Sequence, residues 1–301
     1  MIDLDQLSAF VTIAERGTVT SAARKLHRTQ SAISRRLSLL EDALGAQLFD
    51  RRGAALALTD AGRAFLPFAE SALAAVASGR DAVKQQQAPG AGSVSIAIVG
   101  TLVEAPLAQA LRELPSLALS VLTASSAEVS RLVRCGEANL GLRYFEDADG
   151  DLTSELLGLE NLCVVASPAA TPATTQRWIG FPFTRSFKED FGRLLEQQLT
   201  AAGMRGAEVM AVDSLSAQKR LVEVGLGLAL LPESSVREEL ARGTLVVVDM
   251  PSMATTIPIH LVQRRVGYKS PAAGELIAVL KQVFAAQSGS QRKRRPGRGD
   301  R

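Results

Sequence analysis

A set of five polar residues near the amino terminus combines hydrogen-bonding groups with positive charge at helical spacing; they are Gln30, Ser31, Ser34, Arg35 and Ser38. The opposite face is apolar, with residues recurring at i, i+4, i+7 and i+11; these are Ile33, Leu37, Leu40 and Leu44. Short polar side chains and an arginine on the free face of a short helix suit the base edges of the DNA major groove. The alternative interpretation is an ordinary amphipathic hairpin with a solvated face.

The residues that precede this polar-faced helix predict another helix, which packs against it and positions it. Residues 18–26 carry small and apolar side chains that allow two helices to approach closely; these are Ala22, Ala23 and Leu26. A short polar break follows at residues 27–28, and the hydroxyl of Thr29 is suited to cap the next helix. The order predicts a helix-turn-helix, in which Thr29 and Arg36 on the flank hold phosphates.

A hairpin-sized wing and a long helix are predicted next. Gly45 is placed to end the recognition helix, and residues 47–51 and 55–58 are predicted to form two short strands. Arg51 and Arg52 at the wing are further candidates for phosphate contact, although the following AALAL segment has no basic residue. Thr59 then caps a helix that is predicted to run to about Gln87.

This order of elements resembles the LysR-type transcriptional regulators. The matching positions are residues 7–10, Ala22, Ala23, Leu26, Gln30, Ser34, Arg35, Leu40, Glu41, Leu44, Gly45, Leu48, Phe49, Arg51, Leu58, Thr59 and Gly62. The resemblance implies a ligand-responsive regulator that binds double-stranded DNA as a homodimer, with a homotetramer expected. RNA polymerase is a candidate partner. It also implies a two-lobed effector domain with the periplasmic-binding-protein fold.

Charge and composition restrict the function classes. Residues 16–63 and residues 292–301 each carry a net charge of +5, whereas residues 64–291 carry −4. Positive charge confined to the proposed DNA-binding unit and the tail indicates phosphate contact. No apolar run reaches the ~18 residues of a membrane span, and the acidic amino terminus is not a secretory signal. We therefore expect a cytoplasmic protein with no membrane partner.

The long helix is predicted to join two copies of the chain. Apolar residues repeat along it in steps of four and three; they are Ala61, Phe65, Phe68, Ala72 and Val76. Such a seam favours a partner helix, and a helix about 40 Å long finds little core within one winged unit. A helix packed in its own domain is the alternative.

Alternating strands and helices follow a Gln-rich, then Pro/Gly-rich hinge. A first β-α-β-α-β series from Ser93 to Tyr144 and a second from Leu162 onwards predict an α/β domain of two lobes. The predicted domains are a winged helix-turn-helix at 1–58, a linker helix at 59–87, a hinge at 88–92, an effector domain at 93–288 and a disordered basic tail at 289–301. By the family's topology, lobe I comprises 93–162 and 264–288, and lobe II comprises 163–263.

An effector is expected at the carboxyl ends of the strands, where helix amino termini point into the cleft. Hydroxyls and free backbone N–H groups there favour an anion; the candidates in the turns are Gly100, Thr101, Ser125, Ser126, Ser214 and Thr184. Arg143 ends the third strand, where it could pair with a ligand carboxylate. The competing interpretation makes it a structural partner of Glu146 or Asp147.

No constellation of an enzyme is visible in the sequence. Metal-ligand spacing, a P-loop and a nucleophile elbow are absent, so we expect neither catalysis nor a metal or other cofactor. Cys135 and Cys163 are interpreted as small core residues, with a redox switch as the alternative. The rival class to a DNA-binding regulator is a small-molecule-binding protein whose helix-turn-helix serves only dimerisation.

Overall fold

The computed structural model describes residues 1–50, 56–87, 93–147, 150–170, 177–182 and 191–294. The amino-terminal unit consists of α1 (Leu4–Arg16), α2 (Val19–Lys25), α3 (Gln30–Leu44), and the antiparallel pair β1 (Phe49–Asp50) and β2 (Ala57–Leu58). The predicted helix-turn-helix and wing strands are therefore present. Each wing strand is shorter than the sequence pattern indicated.

An aromatic cluster holds the amino-terminal core together. The ring of Phe10 lies 5.5 Å from that of Phe49 and 5.7 Å from that of Phe65. Beside them, Gly62 approaches the backbone so closely that an added Cβ would lie 2.2 Å from the carbonyl oxygen of Leu48. A glycine is required there, because no other residue permits this contact between the long helix and the wing.

The long helix α4 (Asp60–Gln87) ends where the sequence predicted. The hydroxyl of Thr59 caps it by accepting a hydrogen bond from the Gly62 N–H over 3.0 Å. Its predicted apolar seam divides between two roles. Phe65 packs into the amino-terminal core, whereas Phe68 is 71% exposed and Val76 is exposed as well. Val83, which was not part of the predicted seam, is also exposed.

The second unit is built on a mixed sheet with nine strands among the described residues: β3 (Ser93–Ile98), β4 (Ala118–Thr123), β5 (Leu140–Tyr144), β6 (Leu152–Ala166), β7 (Arg177–Gly180), β8 (Glu208–Ala211), β9 (Leu228–Pro232), β10 (Val246–Val248) and β11 (Thr255–Arg264). The order is β4-β3-β5-β11-β6-β9-β7-β8, and β10 pairs with β6. Strands β4-β3-β5 and β8-β7-β9 are two parallel sets with the same internal order. The antiparallel strands β11 and β6 join them. This is the predicted two-lobed arrangement.

Helices pack on both faces of this sheet. They are α5 (Ala108–Glu113), α6 (Ser126–Arg134), α7 (Phe191–Ala201), α8 (Leu215–Glu223), α9 (Arg237–Arg242) and α10 (Pro271–Arg294). The prediction of one helix over 102–113 is wrong in detail, because a 3-10 turn and a π-helical turn containing Pro106 precede α5. Residues 289–294, which belong to the segment predicted as a disordered basic tail, continue α10. Residues 295–301 and the predicted hinge, 88–92, lie outside the described ranges.

The largest apolar core runs through both lobes. It includes Tyr144 and Leu140 of the first parallel set and Trp178 and Leu228 of the second. Smaller clusters lie under α6 and α8 on the other face. Within the described residues, no helix is long and apolar enough to cross a membrane.

Candidate nucleic-acid interface and ligand cleft

Helix α3 presents a polar face to solvent because its apolar face is fully used by the core. Ile33, Leu37 and Leu40 are buried, whereas the predicted base-reading residues are exposed; these are Gln30, Ser31, Ser34 and Arg35. The hydroxyl of Thr29 caps the helix by accepting from the Ala32 N–H over 3.2 Å. The exposed face is thus held on a rigid element, as a groove-reading helix requires.

The two arginines of this helix differ in their surroundings. Arg35 is exposed and makes no hydrogen bond or ion pair with any residue in the described ranges, so its guanidinium is available. Arg36 pairs instead with Asp5 of α1 over 2.5 Å, which orients it along the flank of the unit. The wing residues Arg51 and Arg52 lie outside the described residues.

The register of the two joining strands locates the cleft between the lobes. Strand β5 ends at Tyr144, opposite Ile259 of β11, and β9 ends at Pro232, opposite Leu162 of β6. The pair Ile257–Glu160 lies between these two points. The carboxyl ends of both parallel sets therefore meet around one pair of residues, which is where a fold of this kind binds ligands.

On the lobe I side of this cleft, two predicted residues, Thr101 and Ser126, both contact Tyr144. The hydroxyl oxygens of Thr101 and Tyr144 lie 2.7 Å apart. The backbone N–H of Tyr144 donates to the Ser126 hydroxyl over 3.2 Å. Burial raises the pKa of the Tyr144 phenol, so it stays protonated and can donate one hydrogen bond. Thr101 and Ser126 thus sit on either side of one buried tyrosine.

The remaining turn residues mark helix beginnings. Gly100 opens the 3-10 turn after β3, and Ser125 caps α6 by accepting from the Glu128 N–H over 3.3 Å. In lobe II, Ser214 caps α8 by accepting from the Ala217 N–H over 3.4 Å. Both serine hydroxyls can still donate to a ligand, because a hydroxyl has one donor as well as its acceptor sites. Thr184 lies outside the described residues.

The contacts of Arg143 fit the second interpretation given above, in which it is a structural partner of a nearby acidic residue. Its guanidinium donates to the Asp147 carboxylate over 2.6 Å and to the Ser130 hydroxyl over 2.8 Å. The side chain is buried, and the donation from its Nε to the Tyr144 carbonyl fixes the end of β5. These contacts favour a positioning role over direct ligand pairing.

Three residues at the cleft were missed in the sequence. Tyr144 packs edge-on against Phe191 of lobe II, with ring centroids 5.2 Å apart. Glu160 lies on the central pair, and its carboxylate accepts from the Ser234 N–H over 3.1 Å. The prediction began β6 at residue 162, because the polar and glycine residues from 155 to 161 interrupt the apolar pattern. Tyr144 could have been found from its position at the end of a strand.

The two cysteines differ in their surroundings. Cys163 packs against an apolar cluster, as the core interpretation expects, whereas Cys135 ends α6 and its sulfur accepts a hydrogen bond from Arg131 Nη1 over 3.6 Å. Both thiols are free and partly buried, and burial raises the pKa of Cys135 to about 12 and that of Cys163 to about 11. A reactive thiol needs the opposite shift. In the part of the chain that the structure describes, no group of three or more His, Cys, Asp or Glu could hold a metal ion.

Comparison with known proteins covers both units. Residues 4–63 match the family described as the bacterial regulatory helix-turn-helix protein, lysR family, and residues 87–285 match the LysR substrate binding domain. The chain is 27% identical over 274 residues to the HTH-type transcriptional regulator BbuR of Bordetella bronchiseptica, covering 88% of this chain and 84% of that protein.

Solved structures share the fold over nearly the whole chain. ArgP from Mycobacterium tuberculosis aligns with a TM-score of 0.61 at 22% identity, over 93% of this chain and 96% of ArgP. Full-length CbnR, solved in complex with its target DNA, aligns with a TM-score of 0.56 at 20% identity, over 93% of this chain and 99% of that one.

Proposed function

The chain belongs to the LysR family of DNA-binding transcriptional regulators, and from this premise we propose that α3 reads operator bases while an anionic effector binds between the lobes. The proposal rests on the two faces of helix α3: one face is polar and exposed, and the opposite face is apolar and buried in the core. The relatives are transcriptional regulators, and the proposal gives this chain no catalytic role.

In the proposed complex, Gln30, Ser31, Ser34 and Arg35 face base edges in the major groove. Arg35 is the strongest candidate, because a guanidinium can bind the two acceptors of guanine at once. The phosphates would be held by Thr29, Arg36, Arg51 and Arg52. Since the AALAL segment lacks basic residues, the wing's contribution rests on Arg51 and Arg52.

Two copies of the chain would associate through α4. Phe68, Val76 and Val83 are exposed on this helix, at spacings of eight and seven residues that keep them along one stripe. Covering that stripe with a partner helix removes it from water. A homodimer formed this way presents two recognition helices to two half-sites, and pairing of dimers gives the proposed homotetramer. Its proposed setting is the bacterial cytoplasm, where DNA is accessible and RNA polymerase is a candidate partner.

The proposed effector carries at least one negative charge. Four hydroxyl-bearing residues lie in the turns at the carboxyl ends of the strands: Thr101, Ser125, Ser126 and Ser214. Hydroxyl donors near helix amino termini favour a carboxylate of small-molecule size.

The test of DNA recognition is Arg35→Ala in a footprinting assay on the intergenic DNA upstream of the protein's own gene. We expect a loss of about 1–3 kcal/mol in specific binding, because one bidentate base contact is removed. Arg16→Ala, an exposed arginine at the end of α1, is the control. Unchanged affinity for Arg35→Ala would show that the face of α3 is misassigned. If the wild-type protein itself ignores this DNA, the rival small-molecule-binding function gains support.

A further inference from the structure

Glu160 occupies the boundary between the lobes. On the sheet, opposite residues of antiparallel strands share a face, so Glu160 lies on the same face as Ile257 and Tyr144 on the same face as Ile259. Ile257 and Ile259 are two residues apart on one strand and therefore point the same way. Glu160 and Tyr144 thus project from the same side of the sheet, where the two lobes meet.

The carboxylate of Glu160 is hydrogen-bonded by Ser234 but has no ion-pair partner among the described residues. Its oxygen Oε1 accepts from the backbone N–H of Ser234, at the first turn after β9. No lysine or arginine among the described residues forms an ion pair with it, and Arg237 acts on it only at longer range, opposed by Glu233. Burial raises the pKa of this carboxyl above its ordinary value of 4.5. A charge held this way is destabilising until a positive group pairs with it.

The boundary between the lobes also carries an aromatic cluster around Tyr144. Phe191 from lobe II packs on Tyr144 from lobe I and lies 5.4 Å from Phe181 and 6.2 Å from Phe145, measured between ring centroids. The Thr101 hydroxyl lies against Tyr144 on the lobe I side. An aromatic cluster, hydroxyl donors and one carboxylate without an ion-pair partner among the described residues therefore lie at the same boundary.

We propose that the effector is zwitterionic, of the α-amino acid type, and that its protonated amine pairs with Glu160 when the lobes close on it. This inference rests on the proposed function, which places the effector's carboxylate at the hydroxyl-bearing turns. It adds a second charge of opposite sign and assigns its recognition to one residue. The aromatic cluster then faces the effector's side chain.

The experiment uses the full chain and matched sets of probes. L-Phenylalanine, 3-phenylpropanoate and 2-phenylethylamine form one set, and L-leucine, 4-methylpentanoate and 3-methylbutylamine form another. Thermal unfolding and calorimetric titration are measured for the wild type, for Glu160→Gln and for the control Glu155→Gln. Glu155 lies on the same strand, where it pairs with Lys281 at the surface.

We expect at least one amino acid to raise the melting temperature of the wild type more than its deaminated acid does. Glu160→Gln should weaken that amino acid about ten- to a hundredfold, because a charge-assisted hydrogen bond is lost, while Glu155→Gln leaves it unchanged. Without ligand, Glu160→Gln should melt at the wild-type temperature or above it, since a buried charge without an ion pair is removed while the amide oxygen can still accept from the Ser234 N–H.

Other outcomes separate the two proposals. If the carboxylic acids bind as well as the amino acids and Glu160→Gln has no effect, the anionic effector stands and the role of Glu160 is overturned. If only the amines bind, and Glu160→Gln weakens them, the pairing of an amine with Glu160 stands and the proposal of an anionic effector fails. A failure of every probe to bind overturns the inference for this class of compound. A lower melting temperature of ligand-free Glu160→Gln also overturns it, because the negative charge of Glu160 is then already stabilised within the protein.

Discussion

Arg264 on β11 donates a hydrogen bond from Nη2 to the Ser78 hydroxyl on α4 over 3.1 Å, although the two residues are 186 positions apart. The same guanidinium donates from Nη1 to the carbonyls of Val133 and Ala138, at 2.7 and 3.1 Å. It therefore ties the linker helix to the end of α6 and to the sheet of lobe I. On the other side of α6, Arg131 pairs with Glu15 of α1 over 2.5 Å. The effector domain is docked on the DNA-binding unit of its own chain through these contacts.

Arg264→Gln should lower the free energy of unfolding by about 1.5–3 kcal/mol, because hydrogen bonds from a charged group to buried carbonyls are lost. Ser78→Ala should cost less, about 0.5–1.5 kcal/mol, since one neutral acceptor is removed. Urea unfolding of both variants and of the double variant measures the coupling between the two residues. Additive effects in the double variant would argue against the contact.

Phe68→Asp should abolish the proposed dimer. Phe68 is 71% exposed in the single chain, so the substitution leaves the fold of one copy intact. In a helix pair, it would bury an unpaired carboxylate, which is strongly disfavoured. Light scattering should report monomers, and binding to two half-sites should be lost. Arg80→Asp, at an exposed polar position of the same helix, is the control. An unchanged assembly for Phe68→Asp would remove α4 as the dimer contact.

The titration of Glu70 should contribute to the pH dependence of the free energy of unfolding. This carboxyl is buried on α4, and burial raises its pKa above 4.5 despite Arg134 and Arg131 nearby. The folded state therefore binds more protons than the unfolded state between 4.5 and the raised value. Its contribution to stability is full below pH 4.5 and is lost as the pH rises through the folded pKa.

Glu70→Gln should remove this contribution to the slope. At pH 7 the free energy of unfolding of the variant should be at least as large as that of the wild type. As the pH falls toward 4.5, it should decrease relative to that of the wild type. Urea unfolding at several pH values tests this expectation. Parallel pH profiles for the two proteins would contradict the assignment of the raised pKa to Glu70.

Cys135 and Cys163 should be unreactive in the folded protein. With pKa values of about 12 and about 11, both are almost entirely protonated at neutral pH, and the thiolate is the reactive form. Alkylation by iodoacetamide should be far slower for the native protein than for the protein in urea. Rapid labelling of either cysteine in the native state, or a disulfide after peroxide treatment, would restore the redox-switch alternative.

Local pattern alone predicted helix α3 and several strands. The apolar spacing of Ile33, Leu37 and Leu40 predicted the buried face of α3, and the bounds predicted for β5 match those of the structure. These predictions succeed because a helix or strand must bury one face, and the period of its apolar residues follows directly from its backbone geometry.

Only the tertiary structure decided which polar residues meet. The first ten of the fifteen residues of β6 were missed because Glu155, Gly158 and Glu160 break the apolar pattern, and pairing with β11 overrides their weak strand propensity. The partner of Arg143 was left open between Glu146 and Asp147, and the structure selects Asp147. The contact between Arg264 and Ser78, and the place of Glu160 between two strand ends, depend on residues far apart in the chain. Sequence periodicity contains no information on such distances, because it reports which face of an element is buried and not what that face is buried against.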